Sequence, residues 1–352
     1  MDICQLSHLT TGYRTGQGVK TISQGLDATL PSGQMTCLLG ANGTGKSTLL
    51  RTICGFLKPL CGHVSVAGRE VAGLSAREMS RLVAVVLTDR VEIPNATVTE
   101  LVQLGRSPYT GFMGRLGSDD VAIACRAMQQ AGIWHKRHQT VTSLSDGERQ
   151  KALIAKALAQ ETPLIVLDEP TAFLDLPARV EIMQLLRSLC SDKGVSILMT
   201  THDLDLALQM ADRLWLLQPD RPLVTGSPED LMLQDAFAAM FAQSGIEFDI
   251  RTGLFQIQHP YRHHIAVKGH GFGYVLLRRA LARLGIRTVG YGGGQALWID
   301  IRGIDVPEFA VMYDAHPLLV SPSVERVVSQ VVDAMASMPM AKHMNVSNDA
   351  II

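Results

Sequence analysis

The chain has 352 residues, 47% hydrophobic and 18% charged, with 32 lysines and arginines against 33 aspartates and glutamates. That length predicts roughly two domains of about 150 residues each, and the composition excludes a disordered protein. A formal charge of -1 argues against wholesale binding to a nucleic-acid backbone.

Six cysteines, Cys4, Cys37, Cys54, Cys61, Cys125 and Cys190, form no CxxC pair. This excludes a zinc ribbon or a secreted disulfide scaffold, and most of the thiols are expected to be reduced and buried. The N-terminal MDICQLSHLTTGYRTG has no basic segment followed by an apolar core. No run reaches the roughly 18 to 20 apolar residues that span a bilayer. A cytoplasmic chain seated on a membrane partner is the expectation.

In chain order, the first 30 residues carry the turn signals GYRTGQG and LPSGQ, predicting strand, loop, strand. Met35 to Gly40 is the next strand and Lys46 to Ile53 a helix, with a glycine-rich turn between them. Strands are expected at His63 to Val66 and Leu82 to Leu87, then helices at Val98 to Gly105 and Asp119 to Gly132. The link between these helices, SPYTGFMGRLGSDD, reads as irregular and exposed. Asp146 to Gln160 is helical, and LIVLDEP is a short apolar run ending in acid, the pattern of a buried parallel strand. A helix at Leu176 to Leu189, a strand at Val195 to Thr200, a helix at Leu204 to Met210 and a strand at Leu214 to Leu217 complete an α/β alternation. SPED then reads as a helix cap.

GANGTGKST, Gly40 to Thr48, fits G-x-x-x-x-G-K-[ST] between a predicted strand and a predicted helix. Gly43 and Gly45 let the backbone curl so that successive N–H groups face phosphate oxygens. Lys46 brings positive charge to the β and γ phosphates, Ser47 offers a hydroxyl to Mg²⁺, and Thr48 bonds the α phosphate. Asp168, ending LIVLD, is placed to serve Mg²⁺ opposite Ser47, and Glu169 to polarise water as a general base. In LSDGERQ, Ser145 and the N–H groups after it make an anion site at a helix start. The P-loop already has a full phosphate cradle, so this second site makes sense as a cap on the γ phosphate held by another copy.

With these motifs in this order, residues 1 to about 240 resemble the nucleotide-binding subunit of an ATP-binding cassette (ABC) transporter. The resemblance implies an α/β P-loop NTPase of the ABC ATPase type, residues 1–240, with a helical subdomain at about 89–160 and a smaller C-terminal α/β unit at 241–352. It implies ATP and Mg²⁺ as ligands, with Glu169, Lys46 and His202 catalytic, His202 being the switch histidine at the γ phosphate. Tyr13 would stack on adenine, and Gly40, Asn42, Gly43, Gly45, Lys46, Ser47 and Thr48 would cradle the phosphates. Ser145 and Gly147 would serve the nucleotide of a second copy, and Asp175 would lie at the dimer interface. Members more often read Ser-Gly-Gly-Gln here, so Asp146 and Glu148 are departures. Thr88 stands where the family has a glutamine that helps sense the metal and the attacking water; Asp89 beside it is expected to substitute in part.

The implied partners are a second copy in a head-to-tail ATP sandwich, transmembrane permease subunits and, indirectly, a substrate-binding protein, with no nucleic acid. The implied place is the cytoplasmic face of the inner membrane, with residues 105–120 receiving a permease coupling helix. TVTELVQLGRSPYTGFMGRLGSDD and EPTAFLDLPARVEI resemble the importer branch for iron(III)-siderophores, haem and cobalamin. An iron(III)-siderophore is the expected cargo, with haem or cobalamin as the alternative. A soluble ABC ATPase acting on ribosomes or DNA is the competing class, but it would carry two cassettes or a long coiled coil, and no heptad run is present.

The C-terminal unit reads as strand, helix, strand at Ile265 to Lys268, Tyr274 to Leu284 and Arg287 to Gly290, then strand, turn, helix in HPLLVSPSVERVVSQVVDAMASM. GHGFG and YGGGQ read as tight turns. His259, His263, His264 and His270 lack a cysteine or paired carboxylates, and neighbours 263 and 264 point to opposite faces of a strand. Packed or solvated histidines are expected, and the sequence assigns this unit no role.

Overall fold

The computed structural model describes residues 2–337 apart from 17, 88–94, 112–113, 242–245, 250–253, 258, 304–305 and 315. The chain divides into two compact units, Met1–Gln256 and Ile257–Ile352.

The first unit opens with a long hairpin, β1 (Asp2–Thr15) and β2 (Gly18–Pro31). Next come β3 (Met35–Leu39), α1 (Lys46–Ile53), β4 (Cys61–Val66), β5 (Arg69–Glu70), α2 (Ala76–Met79) and β6 (Val83–Val86). Three helices follow, α3 (Val98–Gln103), α4 (Ser118–Gln130) and α5 (Asp146–Ala159). The chain then alternates through β7 (Leu164–Leu167), α6 (Leu176–Lys193), β8 (Ser196–Thr200), α7 (Leu204–Met210), β9 (Arg213–Leu216) and β10 (Val224–Gly226). Helices α8 (Pro228–Leu233) and α9 (Ala236–Phe241) and the strand pair β11 (Ile246–Asp249) and β12 (Leu254–Ile257) complete it.

An antiparallel sheet runs in the order β2-β1-β4-β5, and a six-stranded sheet in the order β10-β9-β3-β8-β7-β6. Its strands are parallel except β10. Every residue of β3, β7 and β8 is buried, which explains why they are mostly apolar, with no alternation of polar and apolar side chains. Leu38, Val166 and Leu198 face one core, shared with α1 and the hairpin, while Leu39, Leu167 and Met199 face the other, shared with α6. Helices α3, α4 and α5 pack around Leu101, Met128 and the small Ala127, Ala152 and Ala155.

The link after α3 is exposed over most of its described residues, as its sequence suggests, but its start is anchored: Pro108 is buried. Arg106 is 5% exposed. Its Nε donates to Asp120 at 2.9 Å, and its Nη1 to Glu161 at 2.8 Å and to the Ala159 carbonyl at 2.9 Å. Arg77 and Arg81 donate to the Pro108 carbonyl. A guanidinium out of water has five N–H donors to satisfy, so Arg106 draws its own segment onto the end of α5.

The second unit has a five-stranded sheet in the order β14-β13-β15-β16-β17. Its elements are β13 (His263–Lys268), α10 (Phe272–Ala282), β14 (Ile286–Gly290), β15 (Leu297–Arg302), β16 (Glu308–Tyr313), β17 (His316–Ser321) and α11 (Val324–Ser337). The expected strand, helix, strand piece is β13, α10 and parallel β14. Ile265, Val267, Leu277, Leu281, Val327 and Val331 build its core. Strands β15 and β16 were not foreseen.

Four carboxylates at helix starts are held below their usual range, first of all by a backbone N–H: Glu78 by Ser75, Glu100 by Thr97, Asp120 by Gly117 and Glu148 by Ser145. Glu78 is lowered from 4.5 to about 2. Carboxyls lowered on folding stabilise the fold above their unfolded pKa, and this is lost as pH falls through the folded value. The urea midpoint should therefore drop as pH is taken from neutrality toward about 2. Arg106→Ala should cost about 3 kcal/mol in urea unfolding, at the low end for a broken buried pair because Glu161 keeps some water.

Candidate functional site

After β3 the chain turns into α1 through a loop that tolerates no side chain at two glycines. A Cβ on Gly45 would lie 2.5 Å from Ile22 Cγ2, and one on Gly40 2.6 Å from the Leu217 carbonyl oxygen. Gly43 and Gly45 also hold φ values of 81° and 101°, the left-handed region that favours glycine. Helix α1 starts at Gly45 with no side-chain cap, so its first N–H groups are left for an outside acceptor, at the positive end of the helix dipole. Lys46 is 7% exposed. Its Nζ donates to the Gly40 carbonyl at 2.7 Å and the Ala41 carbonyl at 3.1 Å. Burial lowers the Lys46 pKa, while Glu169 and Asp168 push it back up, so the ammonium sits in the field of both acids. Asn42 and Ser47 are exposed. The Tyr13 hydroxyl lies 3.2 Å from Thr48 Oγ1, tying β1 to α1.

The acids stand at the end of β7. Thr200, ending the neighbouring β8, donates to Asp168 Oδ1 at 2.7 Å and accepts from the Glu169 N–H at 2.8 Å. Glu169 has a φ of 50°, which costs a non-glycine residue roughly 1–2 kcal/mol. The turn sets its Oε1 2.7 Å from His202 Nε2. Asp168 and Ser47 line one cavity, with Val85, Leu87 and Val166. A hydroxyl and a carboxylate are hard oxygen donors, and they fit Mg²⁺, which keeps waters and phosphate oxygens in its octahedron. Among the described residues no group of three or more His, Cys, Asp or Glu is placed to hold a metal. Thr88 and Asp89 lie outside the described residues.

A second cluster forms at the starts of α5 and α6. Ser145 Oγ accepts from the Glu148 N–H at 3.3 Å, and the Ser145 N–H donates to Glu148 Oε2 at 3.0 Å. Lys136 pairs with Glu148 at 3.0 Å, and Arg149 with Asp146 at 3.0 Å. Both departures from the common signature therefore have structural partners. A Cβ on Gly147 would lie 3.5 Å from the Ala178 Cβ, and Asp175 caps α6 by accepting from the Ala178 N–H at 3.0 Å. Phe173 and Leu176, on either side of Asp175, are 78% and 64% exposed.

The structure thus brings Lys46, Ser47, Asp168, Glu169 and His202 together at the carboxyl ends of β3, β7 and β8, with Tyr13 and Thr48 at the rim. Ser145, Gly147 and Asp175 form the other cluster. Thr200 was missed from sequence; the signal was a polar residue ending the apolar run VSILMT two positions before His202.

Residues 23–172 match the ABC transporter family model. The chain is 35% identical over 272 residues to an ABC transporter ATP-binding protein of Methanocaldococcus jannaschii, covering 76% of this chain and 94% of that one. It is 34% identical to the ferric enterobactin transport ATP-binding protein of Escherichia coli, covering 66% and 84%. It is 38% identical to the cobalamin import ATP-binding protein of Halobacterium salinarum, covering 65% and 58%. Among solved structures, a metal-chelate type ABC transporter in an inward-facing conformation matches with TM-score 0.60 and 27% identity, over 69% of this chain and 90% of that one. A dimeric ABC transporter cassette matches with TM-score 0.56 and 26% identity, over 64% and 98%.

Thr200→Val keeps the shape of the strand end and removes both hydrogen bonds. It should cost about 1–3 kcal/mol in urea unfolding, since the Asp168 and Glu169 groups lose a partner, and should lower nucleotide turnover at least tenfold in a phosphate-release assay.

Proposed function

The chain belongs to the ABC transporter family, and from that premise we propose that it powers import of an iron(III)-siderophore through a membrane permease, with haem or cobalamin as the alternative cargo. ATP is its substrate and Mg²⁺ its cofactor, and it hydrolyses ATP. The observation that carries the mechanistic reading is Glu169 held 2.7 Å from His202, beside a lysine buried in a glycine loop.

In this reading the uncapped N–H groups of α1 and the ammonium of Lys46 hold the phosphates, Lys46 exchanging the Gly40 and Ala41 carbonyls for phosphate oxygens. Tyr13 lies against the adenine. Ser47 and Asp168 would hold Mg²⁺, with Thr88 and Asp89 as further candidates from the sequence, and the metal would supply charge neutralisation to the phosphates. Glu169 accepts the proton of the water whose oxygen attacks the γ phosphorus, as the bond from that phosphorus to the β–γ bridging oxygen breaks and ADP leaves. His202 fixes the Glu169 carboxylate and reaches the γ phosphate. Ser145 and Gly147 of the partner subunit close over that phosphate, a contact available only while it is present, so hydrolysis reopens the pair.

Residues 1–240 form the ATPase module in this reading, with a helical subdomain at about 89–160, and 241–352 a separate unit. The names of the relatives, ferric enterobactin and cobalamin, support a metal-chelate class of cargo. Among the described residues no helix is long and apolar enough to cross a membrane; permease subunits would supply the crossing, with this chain at the cytoplasmic face.

Purified chain should hydrolyse ATP, and Glu169→Gln should slow it by at least about 100-fold, as loss of a general base does, while trapping an ATP-bound dimer in sedimentation. Failure of either protein to bind ATP would sink the reading. In the Glu169→Gln background, Phe173→Ser should weaken ATP-dependent pairing about tenfold, because an exposed large apolar side chain beside Asp175 is then lost from the interface.

A further inference from the structure

Helix α5 has 14 residues and two acids in its first turn, Asp146 and Glu148. Acid there suits the helix dipole, but it opposes an incoming phosphate. Both charges are met locally, Asp146 by Arg149 of the same helix and Glu148 by Lys136 from the short turn Trp134–Lys136. The second pair is not an ordinary surface pair: the two side chains are 26% and 27% exposed. The turn that carries Lys136 is braced by the Arg137 guanidinium, 4.4 Å from the Trp134 ring centroid.

The same reciprocal cap occurs at α2 and α3, and its details differ there. The Ser75 hydroxyl donates to Glu78 at 2.8 Å and the Thr97 hydroxyl to Glu100 at 2.9 Å, so each hydroxyl proton is used inside its own cap. At α5 the Ser145 hydroxyl accepts from the Glu148 N–H at 3.3 Å, and its own bond to the Glu148 carboxylate is the weakest influence on that acid, behind the Ser145 N–H and Lys136. A hydroxyl proton held this weakly can pass to a stronger acceptor. Glu78 is also paired, with Arg69, but those side chains are 47% and 46% exposed, and that pair does not draw the carboxylate off Ser75.

We propose that Lys136 is a positioning residue for ATP-driven closure: it holds and neutralises the Glu148 carboxylate, so that Ser145 is fixed by its cap while its weakly held hydroxyl proton can turn to the γ phosphate carried by a second copy. This rests on the ATP-sandwich reading above. Lys136 touches no nucleotide and acts through Glu148 and Ser145.

The test is a double-mutant cycle in the Glu169→Gln background, reading ATP-driven dimerisation by sedimentation and binding of a fluorescent ATP analogue to the chain's own P-loop. Lys136→Met should weaken dimerisation about tenfold and leave analogue binding and thermal melting unchanged. Adding Glu148→Gln, which keeps a side chain able to cap but removes its charge, should restore dimerisation to within about threefold, a coupling expected of residues in contact. Lys136→Arg should behave as the parent. Unchanged dimerisation in Lys136→Met would overturn the proposal. So would an equal loss in single and double variants, since Lys136 would then serve only to brace its turn. If Glu169→Gln alone binds ATP and stays monomeric, it is the sandwich reading that fails, and this proposal falls with it.

Discussion

Strands β7 and β8 run parallel with Leu167 opposite Met199, and that register decides whether the site exists. It places Asp168 beside Thr200, so that one hydroxyl can donate to the first acid and accept from the N–H of the second. A slip of one residue would turn every side chain to the opposite face. Both faces of these strands are packed, Val166 and Leu198 on one side and Leu167 and Met199 on the other. The cores therefore fix the register, and the register fixes the acids. Parallel packing also brings the carboxyl end of β3 to the same edge, as open parallel sheets do for their ligands.

Helix starts are treated unequally along this chain. Ser75, Thr97, Ser145, Asp175, Asp203 and Ser227 each close the start of their own helix with a side-chain oxygen. Helix α1 follows Gly45 and has no such oxygen. A capped start has satisfied part of its need for an acceptor, whereas a bare one retains it. Helices α4 and α10 also follow a glycine without a capping side chain, so what singles out α1 for an anion is the buried Lys46 at its bare start, while at Ser145 a capped start remains usable because Glu148 holds the hydroxyl proton only weakly.

Much of the site was legible because its parts are short and local. Gly40 to Thr48 and Leu164 to Glu169 each carry their chemistry within one turn or strand end, and the Ser/Thr-x-x-Glu spacing of the caps reads directly off the chain. The partners that organise those parts were not legible. Thr200, Arg106 and Lys136 act on residues 31 and 32, 14 to 55, and 12 positions away, and a lone polar residue does not announce its acceptor. The exposed, glycine-rich look of residues 107–120 gave no sign that Arg106, just before them, is buried. Strands β15 and β16 are a different case: LWIDIR alternates, with Leu297, Ile299 and Ile301 facing the core, so the signal was present and went unread. Three-residue β10 offers no period to detect.

The position of β3 also has a consequence for how the chain is made. It pairs with β8 on one side and β9 on the other, and β9 ends only at Leu216. At roughly 5–20 residues per second, a ribosome needs on the order of ten seconds or more to bring β9 out after β3. During that interval Met35 to Leu39, buried at every position in the finished sheet, has neither neighbour. The glycine loop has no floor until then, so a nascent chain cannot use nucleotide to stabilise itself, and an apolar strand must be shielded while it waits for partners. Such long-range pairing makes folding slow, and an unpaired apolar strand is prone to misassociation through that stretch of synthesis.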